Sequence, residues 1–267
     1  MQALPFYYQT PYSSSTTPLI VFCPDQEFNQ NSYQLKFPDS TKIYINALEQ
    51  NGANVMVLKG YDFNFDYLLD KIDGWLIPGG LDICPMKYNE KKNDKTNVLK
   101  LHNERFNFEN LMMQKVPKKL PIMGICYGLQ VLNVLNKGKL IQHIDDHEEG
   151  VNYNLQVQKN TRFYNSFLSN KKLYKFFDQE RENAADQITS KCYHHQCISK
   201  VGEDYQANIF DKDGIIHGIE SKDKERWIFG FQWHPERCSD YENNIIFEEF
   251  VAQAEKWKKE KYSYIHA

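Results

Sequence analysis

The chain has 267 residues, of which 41% are hydrophobic and 14% aromatic, so it is long enough to bury a substantial core. Its formal net charge of -3 offers no basic surface for nucleic acid, and no apolar run reaches the length of a membrane span. Six cysteines in a chain this long do not resemble a disulfide framework, and residues 1–12 lack the regions of a secretory signal. We therefore expect a cytoplasmic protein that has neither nucleic acid nor a membrane as its partner.

Strand and helix patterns alternate in the first third of the chain. Residues 1–17 are polar and are expected to form a loose lead-in to a single domain over residues 18–267. Apolar and amphipathic segments predict three strands and two helices, in the order strand 18–23, helix 41–51, strand 54–58, helix 65–72 and strand 73–77. This alternation indicates an α/β fold with a mostly parallel central sheet and helices on both faces.

The third predicted strand runs directly into Pro78-Gly79-Gly80. Glycines at the carboxyl end of a parallel strand let backbone N–H groups approach a ligand, at the edge where open α/β sheets bind their ligands. A lone Gly-Gly pair is more often only a turn, so the motif gains weight only in combination with others. A long helix is predicted at 98–116. Its charged residues are expected to form a solvated or ion-paired face: Lys100, Glu104, Arg105 and Glu109.

Residues 121–130 form the most informative stretch, because an apolar run ends in Cys126 between two glycines and an amphipathic segment follows. The pattern predicts a buried strand, a sharp turn and the start of a helix, which is the arrangement of a nucleophile elbow. A cysteine at a helix amino terminus favours the thiolate, and the N–H of Tyr127 is positioned to donate to an oxyanion. A buried structural cysteine is the alternative, but nothing structural requires this spacing of glycines.

Two later segments are rich in histidine. Residues 143–150 are expected to form a solvated acidic loop rather than a metal site, because no helix or strand fixes their spacing. In residues 192–197 a zinc site would need four converging ligands, whereas adjacent residues of an extended segment point to opposite faces. We favour a substrate-facing loop in which one of His194 and His195 points inward, with zinc as the alternative. Between these segments, residues 151–191 are expected to form strands and loops over the sheet edge.

The last part of the chain predicts two antiparallel strands, at 214–219 and 227–233, and a closing helix at 242–258. His217 is expected to be a packed strand histidine. The second strand ends in His234-Pro235-Glu236, where the proline stiffens the step between the imidazole and the carboxylate. Glu236 can then orient His234 through one ring nitrogen while the other nitrogen faces the Cys126 thiol.

Three motifs together resemble the class I glutamine amidotransferase family: residues 78–80, 124–130 and 232–236. Within that family they resemble the peptidase C26 branch, which includes the γ-glutamyl-γ-aminobutyrate hydrolases. Residues 78–88 are similar to that branch's Pro-Gly-Gly-x-Asp-x-x-Pro-x-x-Tyr, and residues 193–196 match its His-His-Gln stretch. The resemblance runs from about residue 18 to the last helix and implies a flavodoxin-like sheet with a small antiparallel extension. Tyr127 departs from the arginine that is frequent in the branch, as do Lys191-Cys192 and residues 137–139 from its usual residues.

The resemblance implies a role for each site residue. Cys126 is the nucleophile, His234 the base and Glu236 its orienting partner, and the N–H groups of Gly80 and Tyr127 form the oxyanion hole. The remaining implied residues contact the substrate: Gly79, Gln130, His194 and His195. The reaction is hydrolysis of a γ-glutamyl amide bond through a thioester, with no metal or organic cofactor.

Two other functions remain open from the sequence. The chain can be a glutaminase subunit that delivers ammonia to a separate synthase partner, or a non-catalytic binding member of the same fold. A homodimer is compatible with each of these functions.

Overall fold

The computed structural model describes residues 6–10, 16–29, 34–61, 65–98, 100–145, 147–166 and 187–265. The strands, in chain order, are β1 (Phe6–Gln9), β2 (Leu19–Phe22), β3 (Glu27–Asn29), β4 (Gln34–Lys36), β5 (Asn54–Leu58), β6 (Gly74–Ile77), β7 (Ile122–Ile125), β8 (Lys139–Ile141), β9 (Asn152–Val157), β10 (Gln187–Lys191), β11 (Cys197–Lys200), β12 (Tyr205–Phe210), β13 (Ile216–Ser221) and β14 (Ile228–Phe231). The helices described in full are α1 (Thr41–Gln50), α2 (Phe65–Lys71), α3 (Lys100–Lys115), α4 (Tyr127–Leu135) and α5 (Tyr241–Ile265).

Five parallel strands form the centre of a ten-stranded sheet, whose order is β1-β5-β2-β6-β7-β14-β13-β12-β9-β10. The parallel strands are β5, β2, β6, β7 and β14. Numbered among themselves in chain order, they run 2-1-3-4-5, which is the flavodoxin-like order. The predicted α/β class and mostly parallel sheet are therefore confirmed. In such sheets ligands bind beyond the carboxyl ends of the strands, and the three predicted motifs follow β6, β7 and β14 there.

Antiparallel strands extend the sheet on both sides of this centre. The extension after β14 contains β13, β12, β9 and β10, which confirms the predicted pairing of β13 with β14. On the opposite edge, β1 pairs with β5, so residues 6–9 of the expected loose lead-in form a sheet strand instead. The pairing partner is the edge strand of the parallel run, which otherwise would leave its backbone groups unpaired. Of the predicted region 151–191, residues 167–186 lie outside the described residues.

The five parallel strands are buried along their whole length, so the centre of the sheet is covered on both faces. Successive residues of β6 point to opposite sides, and Trp75 packs in one core while Leu76 packs in the other. The first core includes Met112 of α3 and Leu132 of α4, and the second includes Leu48 of α1. Among the described residues, no helix combines the length and apolarity that crossing a membrane would require.

Candidate active site

Cys126 lies on the turn between β7 and α4, at the carboxyl edge of the parallel strands. Its φ of 52° and ψ of -103° form a sparsely populated conformation that the surroundings must support. The close packing of the backbone around this turn requires Gly124 and Gly128. A Cβ added to Gly124 would lie 2.5 Å from the carbonyl carbon of Gly128, and one added to Gly128 would collide with the Ile77 carbonyl oxygen. The strand, turn and helix predicted around Cys126 are all present, with the cysteine 7% exposed.

His234 follows β14, the parallel neighbour of β7, and therefore reaches the same edge of the sheet as Cys126. Its Nδ1 lies 2.6 Å from Oε1 of Glu236, and it donates because an ionised carboxylate can only accept. The Cys126 thiol is close enough to interact with the same ring. Burial disfavours the charged ring, but its interactions with Cys126 and Glu236 together outweigh burial and raise the pKa of His234 to about 10.

The Pro78-Gly79-Gly80 loop follows β6, which lies directly beside β7. Arg105 donates from Nη2 to the Pro78 carbonyl oxygen at 2.7 Å and from Nη1 to the Gly79 carbonyl oxygen at 3.1 Å. In a trans peptide the N–H points opposite to the carbonyl, so the N–H of Gly80 is directed away from Arg105. The arginine thus orients the peptide plane that carries a predicted oxyanion donor.

Arg105 belongs to a buried charged network beneath this loop. Its Nε donates to Glu109 at 2.9 Å, its Nη1 pairs with Asp25 at 3.0 Å, and its guanidinium lies 4.1 Å from the centre of the Tyr127 ring. The Tyr127 hydroxyl donates to Glu109 at 2.7 Å. Of the predicted solvated or ion-paired face, the ion pair between Arg105 and Glu109 is confirmed, but both residues are buried rather than solvated. They are buried because Arg105 supplies the donors that the loop carbonyls need.

The Tyr127 side chain points into this network, so it lies below the sheet edge rather than above it. Tyr127 is 1% exposed, and its side chain packs in the core on the α3 and α4 side of the sheet. Only the backbone N–H of Tyr127, at the start of α4, remains for the predicted oxyanion role. Arg105 occupies the space beside the Tyr127 ring.

Tyr44 is a site residue that the sequence analysis missed. Its hydroxyl accepts a hydrogen bond from the Gly79 N–H at 3.0 Å and lies 3.5 Å from Nδ1 of His234. Burial raises the pKa of the Tyr44 hydroxyl well above its ordinary value, so the hydroxyl stays neutral. In the sequence, Tyr44 is one aromatic residue in an amphipathic helix, which is the usual pattern of a core residue.

Two predicted substrate contacts line the same edge of the sheet. The Gln130 amide donates to the Gln196 carbonyl oxygen and to Oε1 of Gln232, both at 3.3 Å. Gln232 in turn donates to the Cys126 sulfur at 3.8 Å. His195 is half-buried and lies 3.0 Å from Asp82, a residue of the extended glycine motif. Gln130 is thus two hydrogen bonds from the thiol, whereas His195 lies over the loop that follows β6.

His194 lies in a different cluster. Its ring centre is 4.5 Å from that of His147 and 5.2 Å from that of His217, and its Nδ1 is 2.9 Å from the Gln196 carbonyl oxygen. Within the described residues, no hydrogen bond or ring contact joins His194 to Cys126 or His234. Burial and the two neighbouring histidines hold the pKa of His194 well below its ordinary value. His217 is fully buried on its strand, as predicted.

The arrangement places a thiol, an imidazole oriented by a carboxylate and a loop of backbone N–H groups at one sheet edge. This is the set of groups that acyl transfer to a thiol requires. The site adjoins solvent through Gly80, which is exposed, while the Cys126, His234 and Glu236 side chains are buried.

Comparison with known proteins shows which sequences and structures this chain is similar to. The sequence profile of the peptidase C26 family matches residues 18–236. A glutamine amidotransferase-like protein of Rickettsia prowazekii is 29% identical over 88% of this chain and 96% of its own length. A glutamine-hydrolysing GMP synthase of Dictyostelium discoideum is 32% identical over 49% of this chain and 16% of its own length. A Thermoplasma acidophilum protein, named as one subunit of a GMP synthase, shares the fold, with a TM-score of 0.62, 16% identity and coverage of 91% of this chain and 96% of that one.

Proposed function

Because the chain belongs to the peptidase C26 family, whose profile spans residues 18–236, we propose that it hydrolyses γ-glutamyl amide bonds through a thioester on Cys126. The family makes it a glutamine-amidotransferase-type cysteine hydrolase that acts on carbon–nitrogen bonds. The substrate is glutamine or a γ-glutamyl amine or peptide. The observation that carries the proposal is the buried His234 ring, which has the Cys126 thiol on one side and Glu236 at 2.6 Å on the other.

The reaction begins with attack of the Cys126 thiolate on the side-chain amide carbonyl carbon. The N–H groups of Gly80 and Tyr127 stabilise the oxyanion, and loss of one such donor would lower the rate by about 10²–10³-fold. His234, as imidazolium, gives its proton to the leaving amine, and the carbon–nitrogen bond breaks. The neutral ring then takes a proton from water, which cleaves the thioester and restores the thiolate pair. Proton transfer of this kind contributes roughly 10²–10⁴-fold.

The substrate's γ-glutamyl portion is assigned to the groups around this edge. Gly79 lets the chain approach closely, since a Cβ there would lie 2.8 Å from Cε1 of His234. Gln130 and His195 supply polar groups from the two sides of the loop. His194, the remaining predicted substrate contact, points into the separate histidine cluster and is assigned a different role below.

The direct test is the release of amine from a panel of γ-glutamyl amides, including glutamine and γ-glutamyl-p-nitroanilide, by the wild type and by Cys126→Ala. We expect Cys126→Ala to abolish turnover while leaving the unfolding transition unchanged. Cys84→Ala is the matched control, because Cys84 is a half-buried free thiol outside the triad, and it should retain activity. Full activity of Cys126→Ala would refute the assignment.

The alternative is a glutaminase that delivers ammonia to a separate synthase. The Dictyostelium discoideum relative is a glutamine-hydrolysing GMP synthase, and the fold neighbour from Thermoplasma acidophilum is named as part of a GMP synthase. Steady turnover of γ-glutamyl amides by the purified chain alone supports the hydrolase. Negligible turnover alone, together with glutamine-dependent ammonia release once a synthase partner is added, supports the alternative.

A non-catalytic member of the fold would have no need for a reactive thiol. Brief treatment with iodoacetamide, followed by peptide mass mapping, should modify Cys126 before the other five cysteines. His234→Ala should slow that labelling, because it removes the positive partner of the thiolate. Even labelling of all accessible cysteines would favour the binding function.

A further inference from the structure

A second cluster of reactive side chains lies beside the triad and has no part in the proposed reaction. Cys192, His194 and His217 are all buried, and one ligand atom from each lies within 4.8 Å of the others. Cys192 and His194 are two residues apart on the segment after β10, and His217 lies on β13. From the sequence, a zinc site is disfavoured because adjacent residues of an extended segment point to opposite faces. Residues two apart share a face, which removes that objection for this pair.

The hydrogen bonds of His217 leave one ring nitrogen directed at the thiol. Its Nε2 lies 3.3 Å from Asp211, and the ring must donate there because an ionised carboxylate only accepts. The lone pair is then on Nδ1, which lies 3.7 Å from the Cys192 sulfur. A histidine that holds a metal through one nitrogen and a carboxylate through the other is the common outer-shell arrangement of zinc sites.

The His194 ring also has one nitrogen that donates a hydrogen bond, in this case to the backbone. Its Nδ1 lies 2.9 Å from the Gln196 carbonyl oxygen, which can only accept, so the lone pair is on Nε2. That nitrogen is buried and has no hydrogen-bond partner among the described residues. Unsatisfied buried nitrogens are rare in folded proteins and call for an explanation such as a bound ion.

His147 places a further unsatisfied nitrogen in the cluster. Its Nε2 is also buried without a partner in the described part of the chain, and its ring centre lies 4.5 Å from that of His194 and 6.5 Å from that of His217. His147 and Asp211 also line a cavity of about 800 Å³ beside the cluster.

We propose that Cys192, His194 and His217 bind a divalent transition-metal ion of the zinc class. One thiolate and two imidazoles suit zinc, whose bond lengths of about 2.0–2.3 Å place neighbouring ligand atoms roughly 3.3–3.6 Å apart in a tetrahedron. The Cys192 sulfur and Nδ1 of His217 are 3.7 Å apart, which is close to that spacing. The fourth position is open to His147, whose ring centre lies 4.5 Å from that of His194. Binding releases the thiol proton of Cys192 to solvent, since sulfur ligates zinc as a thiolate.

The site has a structural connection to the triad. Tyr193 lies between Cys192 and His194, and its ring meets the edge of the His234 ring at a centre-to-centre distance of 6.0 Å. An ion held by the residues on both sides of Tyr193 would fix the segment that packs against His234. The proposal itself does not depend on the hydrolase function, because it concerns the binding of metal alone.

The test measures binding of Zn²⁺ and Co²⁺ to chelator-treated full-length protein that carries Cys126→Ala, so that the catalytic thiol cannot act as a ligand. We expect one ion per chain and, with Co²⁺, visible bands of tetrahedral geometry together with a thiolate charge-transfer band. Cys192→Ser should remove the charge-transfer band, and His194→Gln and His217→Gln should each abolish tight binding. Asp211→Asn should weaken the affinity by about 10–100-fold, as removal of outer-shell partners does.

Matched controls separate ligation from general damage. Cys197→Ala removes a buried thiol of the neighbouring strand β11, and His143→Gln removes a histidine that contacts His195. Both controls should bind the ion like the parent. Urea unfolding of each metal-free variant checks that the variant folds. Absence of stoichiometric binding to the folded parent, or a charge-transfer band that persists in Cys192→Ser, would overturn the proposal.

Discussion

The Tyr44 hydroxyl accepts a hydrogen bond from the Gly79 N–H at 3.0 Å and so connects helix α1 to the glycine loop. The same oxygen lies 3.5 Å from Nδ1 of His234. One hydroxyl therefore contacts both the loop assigned to the oxyanion and the ring assigned to proton transfer. Such a residue sets the separation of the two groups without touching the substrate, which makes it a positioning residue.

Tyr44→Phe should lower kcat by about 10-fold with a smaller change in KM, because a buried donor left without its acceptor costs about 1–3 kcal/mol. Steady-state kinetics with a γ-glutamyl amide measure both constants. Tyr8→Phe is the matched control, since the Tyr8 hydroxyl donates to Glu49 at 2.6 Å and touches no triad residue. An unchanged kcat in folded Tyr44→Phe would show that the loop and His234 hold their positions without the hydroxyl.

The pH dependence of turnover follows from the charge on His234. The raised pKa of about 10 keeps the ring protonated through neutral pH, so the acid that protonates the leaving amine is present there. Activity should fall as pH rises through the titration of His234. Glu236→Gln removes a carboxylate that raises this pKa, so the alkaline limb of the kcat/KM profile should move to lower pH. If the alkaline limb does not move in this variant, the limb reports the titration of a group other than His234.

The buried arginine gives a prediction about stability. Arg105→Leu should lower the free energy of unfolding by about 3–5 kcal/mol, because it leaves Glu109 buried without its charged partner. Urea unfolding measures this change. Lys115→Met is the control, since Lys115 is half-exposed and lies 3.9 Å from exposed Asp66, a pair of the kind that contributes about 0–1 kcal/mol. Similar losses in both variants would mean that the buried network adds nothing beyond a surface pair.

Local patterns in the sequence were sufficient to predict the turn that carries Cys126 and the contact between His234 and Glu236. The strand, turn and helix around Cys126 are dictated by an apolar run and two glycines that lie within a few residues of each other. His234 and Glu236 were recognisable because the proline between them limits the backbone to one short turn. The alternation of strands and helices predicted a mostly parallel sheet, whereas the flavodoxin-like order of its strands was implied by the family resemblance.

The parts that the sequence did not reveal depend on contacts between distant residues. Tyr44 meets Gly79 and His234, which lie 35 and 190 positions away in the chain. In the sequence, the charged residues of α3 have the pattern of a solvated face. Only the fold brings the carbonyl groups of the glycine loop to Arg105. Strand β12 was missed, although Tyr205 and Ile209 are buried on it and its apolar residues alternate over a short stretch.

The last prediction concerns Tyr127, which departs from the arginine of the branch that the sequence motifs resemble. Tyr127→Arg should destabilise the fold strongly, because the longer side chain would place a second buried guanidinium against Arg105 in the space that the Tyr127 ring fills, whose centre lies 4.1 Å from the Arg105 guanidinium. Tyr127→Phe removes only the hydrogen bond to Glu109 and should cost about 1–3 kcal/mol. Urea unfolding of both variants tests the comparison. Equal stability of Tyr127→Arg and the wild type would show that the arginine side chain turns outward, toward the substrate, and that the inward orientation of Tyr127 is not imposed by the fold.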